Sequence, residues 1–575
     1  MLNSSLARLI SARSNAPAKT HSNFRGVLMI GFKLDSTGRA GFAVALAIGV
    51  LFVWRYFPPG FVAGTSSYWL TEVDDVTQYF AGFNAFFQAP FSYPLLAFDS
   101  INYPQGTRAT FVDAIPLYAL LLKLFVPSSF APFNPFGAWV ALSFVGQAIC
   151  GWWILRELQV KSWMALLAVT VCLLTFPALT TRLGHISLMS HWILLSSLAL
   201  YIRSRRCNDP QRLGWSLLLV SAFYVNIYLC VMASAVYVVS CLYAPSRLKL
   251  TEIARAMIPF FIIGASLFIT IFPMERVAVA SESGFGIYSM NLLSPFSGGK
   301  FVAFPSPEMP GQYEGFNYLG LGVLITFIAA LAFNAQSGTR LFSHHAGLTW
   351  LMVLFTAYAL SNSIYYGTHQ VMTINYPSFM DGITSQFRAS GRFFWPVGYC
   401  VVIFAIAMLY KKLGTWTFAA CMVALIAFQV YDLSNLRHRL VDTAKRPAAA
   451  VVNQSAWDQQ LDKSTEYLYF FPKFRCGRAD LVLNTLMPTM RYAAVHGLKI
   501  NTGYVARANS VCDIESTQSE IAKSPLAKSL YVFVKGDFPQ VEQVNALFPA
   551  DKQPVCTDVD FAHICRLNQP GRESE

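Results

Sequence analysis

The residues Pro58–Ile115 read PPGFVAGTSSYWLTEVDDVTQYFAGFNAFFQAPFSYPLLAFDSINYPQGTRATFVDAI and interrupt a chain that is otherwise mostly apolar. This polar segment follows the first apolar run, Gly41–Phe57, and precedes nearly all of the others. It contains an adjacent pair of acids, Asp74 and Asp75, at the start of an aromatic-rich stretch. We interpret the segment as a loop that holds the reactive groups, while the rest of the chain anchors it at a membrane surface.

The composition is typical of a membrane protein with many spans. The chain is 55% hydrophobic and 13% charged, whereas soluble domains are about 25% charged. Apolar runs recur between Gly41 and Tyr431, and runs of this kind predict a polytopic protein in a lipid bilayer. The net charge is +13, but the basic residues cluster in short loops and therefore indicate topology. No nucleic-acid partner is predicted.

Positive charge in the loops orients the apolar runs. The run Leu213–Tyr243 is too long for one span, so we predict two compact helices that meet near Asn226. The charges agree with eleven crossings if Phe111–Phe125 does not fully cross, which places the N-terminus in the cytoplasm and the C-terminus outside. The other apolar runs are Gly137–Leu155, Ser162–Leu179, Leu188–Ile202, Ala256–Phe272, Tyr318–Phe333, Ala346–Leu360, Phe394–Tyr410 and Thr415–Tyr431.

The chain is predicted to be an α-helical polytopic membrane protein with about 11–12 transmembrane helices and a small C-terminal α/β domain. Residues 1–40 form a basic cytoplasmic arm, and residues 41–431 form the transmembrane domain with its outer loop at 58–110. Residues 432–575 contain the strand-like runs TEYLYFFP and SLYVFVKG with helical stretches between them. This alternation predicts the α/β domain on the outer side of the membrane.

Four of the eleven cysteines lie in the polar C-terminal segment. An even number of cysteines there is typical of disulfides in an oxidising compartment. The run CTDVDFAHIC predicts a hairpin closed by Cys556 and Cys565, which leaves Cys476 to pair with Cys512. The alternative is four free thiols on the cytoplasmic side.

The acid pair precedes a predicted helix. From Val76 to Phe87 the apolar residues recur at helical spacing, which predicts an amphipathic helix lying on the membrane surface. Asp75 occupies the position of a helix cap, and capping is the simpler interpretation. A carboxylate held at the lipid–water boundary could instead act as a general base toward a hydroxyl. We favour Asp75 for this role, with Asp74 as the alternative and Gln78 as a neighbouring substrate contact.

Further candidates lie where the chain enters or leaves apolar runs. An acid at a membrane entry is costly without a role or a partner, so Asp113 either contacts substrate or pairs with Arg108. His185 and His191 lie in the segment RLGHISLMSHW, where they contact substrate or are ordinary interfacial histidines. Their spacing is not a standard metal pattern. No convincing metal-ligand set appears in the sequence, and a divalent metal cofactor stays an alternative.

The segment SQFRASGRFFWP holds Arg388 and Arg392, four residues apart. On a helix the two guanidinium groups would share a face and would suit a phosphate or pyrophosphate group. The alternative is a headgroup anchor. Glu314 and Tyr318, in GQYEGFNYLGLG, are predicted to line the substrate site because the neighbouring glycines permit close backbone approach.

Five motifs of the chain resemble those of a known membrane family. The runs YWLTEVDDVTQYFAGFNAFF, NYPQG, GHISLMSHW, EGFNYLGLG and FRASGRFFWP resemble a bacterial membrane family of uncharacterised function that is usually placed in the GT-C superfamily of glycosyltransferases. The resemblance covers about residues 55–410. It implies a GT-C-like fold in the bacterial inner membrane, with the C-terminal domain in the periplasm.

The resemblance also implies a chemistry. The donor would be a polyprenyl-phosphate-linked sugar, transferred with inversion to a cell-envelope glycan or lipid acceptor on the periplasmic side. The loop acid would map to Asp75, with Asp74 as the alternative, and the donor phosphate would map to Arg388 and Arg392. Two other functions are considered: a transporter or flippase for a lipid-linked glycan, and an envelope scaffold that acts through its C-terminal domain.

Overall fold

A computed structural model describes residues 36–242, 249–274, 284–303, 309–336, 341–506 and 510–567. Most of the predicted basic arm, residues 1–35, lies outside this range. Contacts divide the chain into two units, Met1–Ala40 and Gly41–Glu575. The second unit contains both the helical bundle and the C-terminal α/β domain.

The described N-terminal three-quarters of the chain are almost entirely helical, with two small hairpins. The helices are α1 Ser36–Tyr56, α2 Pro59–Val62, α3 Asp75–Gln88, α4 Pro116–Phe125, α5 Phe136–Glu157, α6 Trp163–Leu174, α7 Pro177–Thr180, α8 Trp192–Cys207, α9 Arg212–Val225, α10 Ile227–Leu242, α11 Leu250–Ala256, α12 Ile258–Thr270, α13 Leu321–Gln336, α14 Leu341–His344, α15 Ala346–Leu360, α16 Asp381–Gln386, α17 Trp395–Lys412 and α18 Thr415–Asp432. The hairpins are β1 Ala97–Phe98 with β2 Thr107–Arg108, and β3 Ser363–Tyr366 with β4 His369–Thr373.

Six helical segments of the described chain are long and apolar enough to cross a membrane, and the bent pair α11–α12 makes a seventh. Shorter apolar helices, α4, α9, α10, α13 and α15, occupy the other predicted spans. The predicted break at Asn226 is confirmed, because α9 ends at Val225 and α10 begins at Ile227. With 10 residues, α4 spans about 15 Å, half of a bilayer core.

The helix that begins at Asp75 is present, but it does not lie on a surface. Every residue of α3 from Val76 to Phe87 is buried. A helix of the C-terminal domain, α21 Leu486–His496, packs over it, and the guanidinium of Arg491 lies 4.1 Å from the ring centre of Phe80. The predicted membrane-lying helix is therefore wrong. Its apolar residues pack against protein on all sides.

The C-terminal domain is a five-stranded sheet with helices packed on it. The strand order is β6-β5-β7-β9-β8, with β5 parallel to β6 and β7, and with β9 antiparallel to β7 and β8. Disulfides join Cys476 to Cys512 and Cys556 to Cys565, the two pairs that the sequence predicts. The elements are α19 Ser434–Ala444, α20 Gln454–Asp458, β5 Tyr467–Phe471, α21 Leu486–His496, β6 Lys499–Ile500, α22 Ile514–Lys523, β7 Ser529–Val534, α23 Val541–Asn545, β8 Pro554–Val559 and β9 Ala562–Leu567.

Asp432 joins three segments at the end of α18. Its side chain is fully buried and accepts hydrogen bonds from the Tyr318 hydroxyl at 2.6 Å, the Leu321 N–H at 2.9 Å and the Phe301 N–H at 3.0 Å. A buried carboxylate is stable only when such donors replace water. The bonds therefore fix the loop before α13 and the loop around Phe301 against the end of α18.

We expect Asp432→Ala to lower the stability of the protein more than Tyr318→Phe. The first change leaves one buried and two partly buried donors without their acceptor, at up to about 1–3 kcal/mol for each unsatisfied group. The second removes one hydrogen bond, worth about 1 kcal/mol. Thermal unfolding of the purified variants in detergent measures the order. Equal unfolding temperatures for the two variants would contradict this account.

Candidate functional site

A cavity of about 790 Å³ lies where α3, the α7–α8 connection, the loops before α13 and α17, and the C-terminal domain meet. We call it the central cavity. Its polar lining includes Asp75, Gln78, Asp113, His185, Asn226, Tyr288, Tyr313, Glu314, Arg388, Arg392, Arg475 and Tyr504. Residues that are distant in sequence are therefore brought to one space.

Asp75 reaches the cavity from the first turn of α3. The residue at the cap position is Asp74, and not Asp75 as the sequence predicts. The helix is fixed by Thr77, whose hydroxyl donates to the Thr71 carbonyl at 2.9 Å, and by Gln78, whose amide donates to the Tyr504 carbonyl at 3.0 Å. The Asp75 side chain keeps 40% of its surface exposed, so it is available to a molecule in the cavity.

His185 lies between two carboxylates. Its Nδ1 is 3.0 Å from Oδ2 of Asp75, and its Nε2 is 3.0 Å from Oε1 of Glu314. Burial lowers the pKa of His185, but the hydrogen bonds to the two carboxylates outweigh burial and raise that pKa above its ordinary value. With an acceptor at each nitrogen, the imidazolium form satisfies both contacts as a double donor.

Glu314 is the most heavily paired acid of the cavity. Its Oε2 is 3.1 Å from Nη1 of Arg182 and 3.0 Å from Nη2 of Arg392, and Arg182 also donates to the Glu314 carbonyl at 2.6 Å. Burial alone would raise the pKa of Glu314, but Arg392, Arg182 and His185 hold it well below its usual range. Glu314 is therefore ionised, and it orients the two arginines and the histidine around it.

The two predicted phosphate-binding arginines both line the central cavity. They do not share a helical face, because Arg388 precedes the 3-10 turn Ser390–Phe394 that contains Arg392. The guanidinium of Arg388 lies 5.6 Å from the ring centre of Tyr288, and that of Arg392 lies 4.9 Å from the ring centre of Tyr228. Aromatic faces at this distance stabilise a cation without neutralising it.

A glycine contact sets the position of Arg392. A Cβ at Gly391 would lie 2.4 Å from the Cα of Gly315, too close for any side chain. The backbone before α17 therefore touches the backbone that follows Glu314. This contact brings the Arg392 guanidinium within hydrogen-bonding distance of Glu314.

Asp113 enters the cavity from the turn before α4. Its backbone has a φ of +53°, a left-handed conformation that Asp tolerates better than most residues. Desolvation by the surrounding protein atoms and the nearby charge of Asp75 raise the pKa of Asp113 to about 6, although its side chain is exposed to the cavity and His185 and Arg392 lower the pKa in part. Arg108, its proposed partner, instead donates to the carbonyls of Ile271 and Pro273.

Three predicted site residues lie away from the cavity wall. Asp74 forms an ion pair with Arg446 of the C-terminal domain. His191 is fully buried among helices, with its Nδ1 2.6 Å from the Tyr399 hydroxyl. The Tyr318 hydroxyl donates to Asp432 at the end of α18. For His191 and Tyr318 the structure supplies a packing role in place of the predicted substrate contact, because neither side chain reaches the cavity.

Some residues of the cavity wall are not identified as site residues by the sequence. Arg475 comes from a loop of the C-terminal domain, and nothing in its local sequence points to the membrane. Tyr504 lies in the polar run Lys499–Arg507, whose sequence is as typical of an ordinary turn as of a segment that faces the membrane site. Within the described ranges, no three His, Cys, Asp or Glu side chains are grouped closely enough to hold a metal ion.

The fold and the site define a multi-pass membrane protein with a polar-lined cavity between the helical bundle and an α/β domain. The chain belongs to the family described as "Domain of unknown function (DUF6311)", which matches residues 46–434. The C-terminal domain of the same family matches residues 456–567. No curated protein matches the chain.

Two solved structures match a large part of the chain. Both are of an oligosaccharyltransferase from Archaeoglobus fulgidus, one tethered with an acceptor peptide containing the NVT sequon and one in the apo form. They match with TM-scores of 0.44 and 0.38 at 10% and 9% identity, over 80% of this chain. The chain spans 64% of the length of that enzyme.

We expect Asp75→Asn to lower the pKa of His185, because it removes one of the two carboxylates that favour the imidazolium. Deuterium exchange at the imidazole C2 position, followed by mass spectrometry across a pH series, measures this pKa. In the wild type, the stabilisation from charged His185 is complete below the unfolded-state pKa and is lost as the pH rises through the raised folded-state value.

The matched control is Asp74→Asn, which removes the same charge one residue away. Asp74 pairs with Arg446 and not with His185, so the exchange midpoint of His185 should stay at its wild-type value. An unchanged midpoint in Asp75→Asn would show that the Asp75 contact does not determine the charge of His185.

Proposed function

We propose that the protein is a GT-C-type glycosyltransferase that uses a polyprenyl-phosphate-linked sugar. The observation that carries the proposal is the arrangement of the central cavity. Asp75, from the first loop, and Arg388 and Arg392, from a segment more than 300 residues later in the chain, line the same space. A carboxylate that can accept a proton and cations that can hold a phosphate are thus available to one bound molecule.

The charge of the cavity favours an anionic ligand. Two arginines, Arg182 and Arg392, offset the buried Glu314, and His185 carries a proton between two acids. Arg388 and Arg475 add positive charge to the wall. Arg suits the oxygens of a phosphate group because it donates in a fixed fork.

One wall of the cavity is apolar. It is formed by residues of α9 and of α12 with the segment that follows it, all of which belong to apolar helices or their ends. A polar end beside an apolar wall fits an amphiphile, in which a phosphate is joined to a hydrocarbon chain. The apolar residues are Phe223, Val225, Leu267, Ile271, Phe272 and Met274.

The proposed step is a displacement at the anomeric carbon of the sugar. The acceptor hydroxyl oxygen forms a bond to that carbon, and the bond from the carbon to the phosphate oxygen breaks. The leaving phosphate keeps the electron pair and is held by Arg388 and Arg392. The hydroxyl proton passes to Asp75. His185 contacts Oδ2 of Asp75, so Oδ1 is the oxygen that we assign to the hydroxyl.

The proposal includes a location and an acceptor class. The basic loops of the sequence orient the bundle so that the central cavity opens on the outer face of a bacterial inner membrane. The two disulfides of the C-terminal domain support the same side, because disulfides persist in the oxidising periplasm. The acceptor would then be a cell-envelope glycan or lipid.

We expect Asp75→Asn to reduce sugar transfer about 10²–10⁴-fold, the usual contribution of a general base. Asp74→Asn should retain the wild-type rate, because Asp74 lies outside the cavity. Transfer is measured with the purified protein in vesicles that contain radiolabelled polyprenyl-phosphate sugars and a cell-envelope extract as acceptor. Movement of labelled lipid across the bilayer without a covalent product would instead favour the flippase.

We expect Arg388→Gln to weaken binding of a polyprenyl phosphate by about 10–100-fold, which corresponds to one charged hydrogen bond of about 1.5–3 kcal/mol. Arg388 is a sharper test than Arg392, whose loss would also leave Glu314 with fewer partners. Microscale thermophoresis in detergent measures the affinity. Lys463→Gln, on the exposed surface of the C-terminal domain, is the charge-matched control. Equal affinities for the two variants would remove Arg388 from the phosphate site.

A further inference from the structure

A second, smaller pocket lies outside the central cavity, at the start of α19. Its volume is about 430 Å³, and it shares no lining residue with the central cavity. Among the residues that the structure describes, those that line it are Lys300, Ser434, Asn435, His438, Arg439 and Asp442. Three of these are basic residue types and one is acidic. We call it the Lys300 pocket.

The position of Lys300 is fixed by the backbone. The Lys300 N–H donates to the Asp432 carbonyl at 2.9 Å, and the next N–H, of Phe301, donates to the Asp432 carboxylate. A Cβ at Gly299 would lie 2.1 Å from that carboxylate, so only glycine allows this approach. The loop is therefore held against the junction of α18 and α19, and the lysine faces the first turns of α19.

The pocket also contains a polar atom that has no partner. Oγ of Ser434 is shielded from solvent and makes no hydrogen bond to any described residue. A buried hydroxyl without a partner is costly, and this one lies in the wall of a cavity lined by Lys300, His438 and Arg439. Because the atom is shielded from solvent, a bound ligand does not reach it, and the basic side chains of the pocket are the groups that a ligand can contact.

The surroundings indicate where such a ligand comes from. The pocket adjoins the end of α18, which is long and apolar enough to cross a membrane. Tyr431 and Phe301 pack together beside Lys300, and each keeps more than half of its surface exposed. Exposed aromatic rings at the end of a span, next to a cation, are typical of the headgroup layer of a bilayer.

We propose that the Lys300 pocket binds the phosphate of an anionic phospholipid headgroup from the surrounding bilayer. Lys300 and Arg439 bind the phosphate oxygens. The acidic Asp442 on the rim accepts from a headgroup hydroxyl, which favours phosphatidylglycerol over a headgroup that offers only charge. The proposal is independent of the sugar-transfer function.

Native mass spectrometry of the full-length protein, titrated with phosphatidylglycerol, tests the proposal. The double variant Lys300→Gln, Arg439→Gln should bind the lipid about 30-fold more weakly. Each cation near an anionic headgroup contributes about fivefold to the affinity, and the two factors multiply. The control is Lys463→Gln, Lys552→Gln, which removes the same charge from exposed positions of the C-terminal domain and should bind like the wild type.

Two further arms separate the sources of phosphate. Phosphatidylcholine should bind more weakly than phosphatidylglycerol to the wild type, and inorganic phosphate should not compete with the lipid at equal concentration. The single variant Arg439→Lys, which keeps the charge, should retain most of the wild-type affinity for phosphatidylglycerol. Equal loss in the pocket and control variants, no loss in either, or binding of inorganic phosphate as tight as that of the lipid would overturn the proposal.

Discussion

The arrangement of the central cavity depends on one buried carboxylate. Glu314 lies within 3.1 Å of a nitrogen from each of Arg182, His185 and Arg392. These residues come from the α7–α8 connection and from the segment before α17, so a single acid holds together two parts of the bundle. A buried charge is tolerated only with such partners, and each partner is in turn placed by the acid. Through His185 the network reaches Asp75.

This network also determines which groups are available to a ligand. Arg392 gives part of its donor capacity to Glu314, and the guanidinium of Arg388 lies 5.6 Å from the ring centre of Tyr288. Asp75 uses one carboxylate oxygen for His185. Asp113 is a separate acid, and desolvation together with the neighbouring carboxylate of Asp75 raises its pKa. Glu314, whose pKa is lowered by its partners, and Asp113, whose pKa is raised, thus differ in proton affinity although both line the cavity.

The sequence predicts the helices and strands better than it predicts which of them pack together. Apolar length identifies the helices, and the interruption at Asn226 locates the break between α9 and α10, because both are local properties of the chain. The burial of α3, in contrast, depends on residues that are distant in the sequence. Its aromatic residues predict one apolar face, but α21, more than 400 residues later, covers the rest of the helix. The same limit explains His191, since periodicity does not show that Tyr399 will meet its ring.

The site residues divide in the same way. Asp75, His185, Glu314, Arg388 and Arg392 stand out because charged residues are rare in this chain and cost free energy near a bilayer. A role can differ from the expected one when the side chain is engaged in ion pairs. Glu314, for example, orients other side chains through its ion pairs. Arg475 gives no signal, because a basic residue in a polar domain is ordinary until the fold places it at the cavity.

The contact between Gln78 and Tyr504 joins residues 426 positions apart. Translation therefore produces one half of this wall long before the other. While the chain is being made, the bundle can insert in the bilayer, but the space beside Asp75 lacks its cover and stays in contact with the surroundings. Cys512 must also be present before Cys476 can form its bond. The site is thus completed only after the residues of the C-terminal domain have been made and have packed onto the bundle.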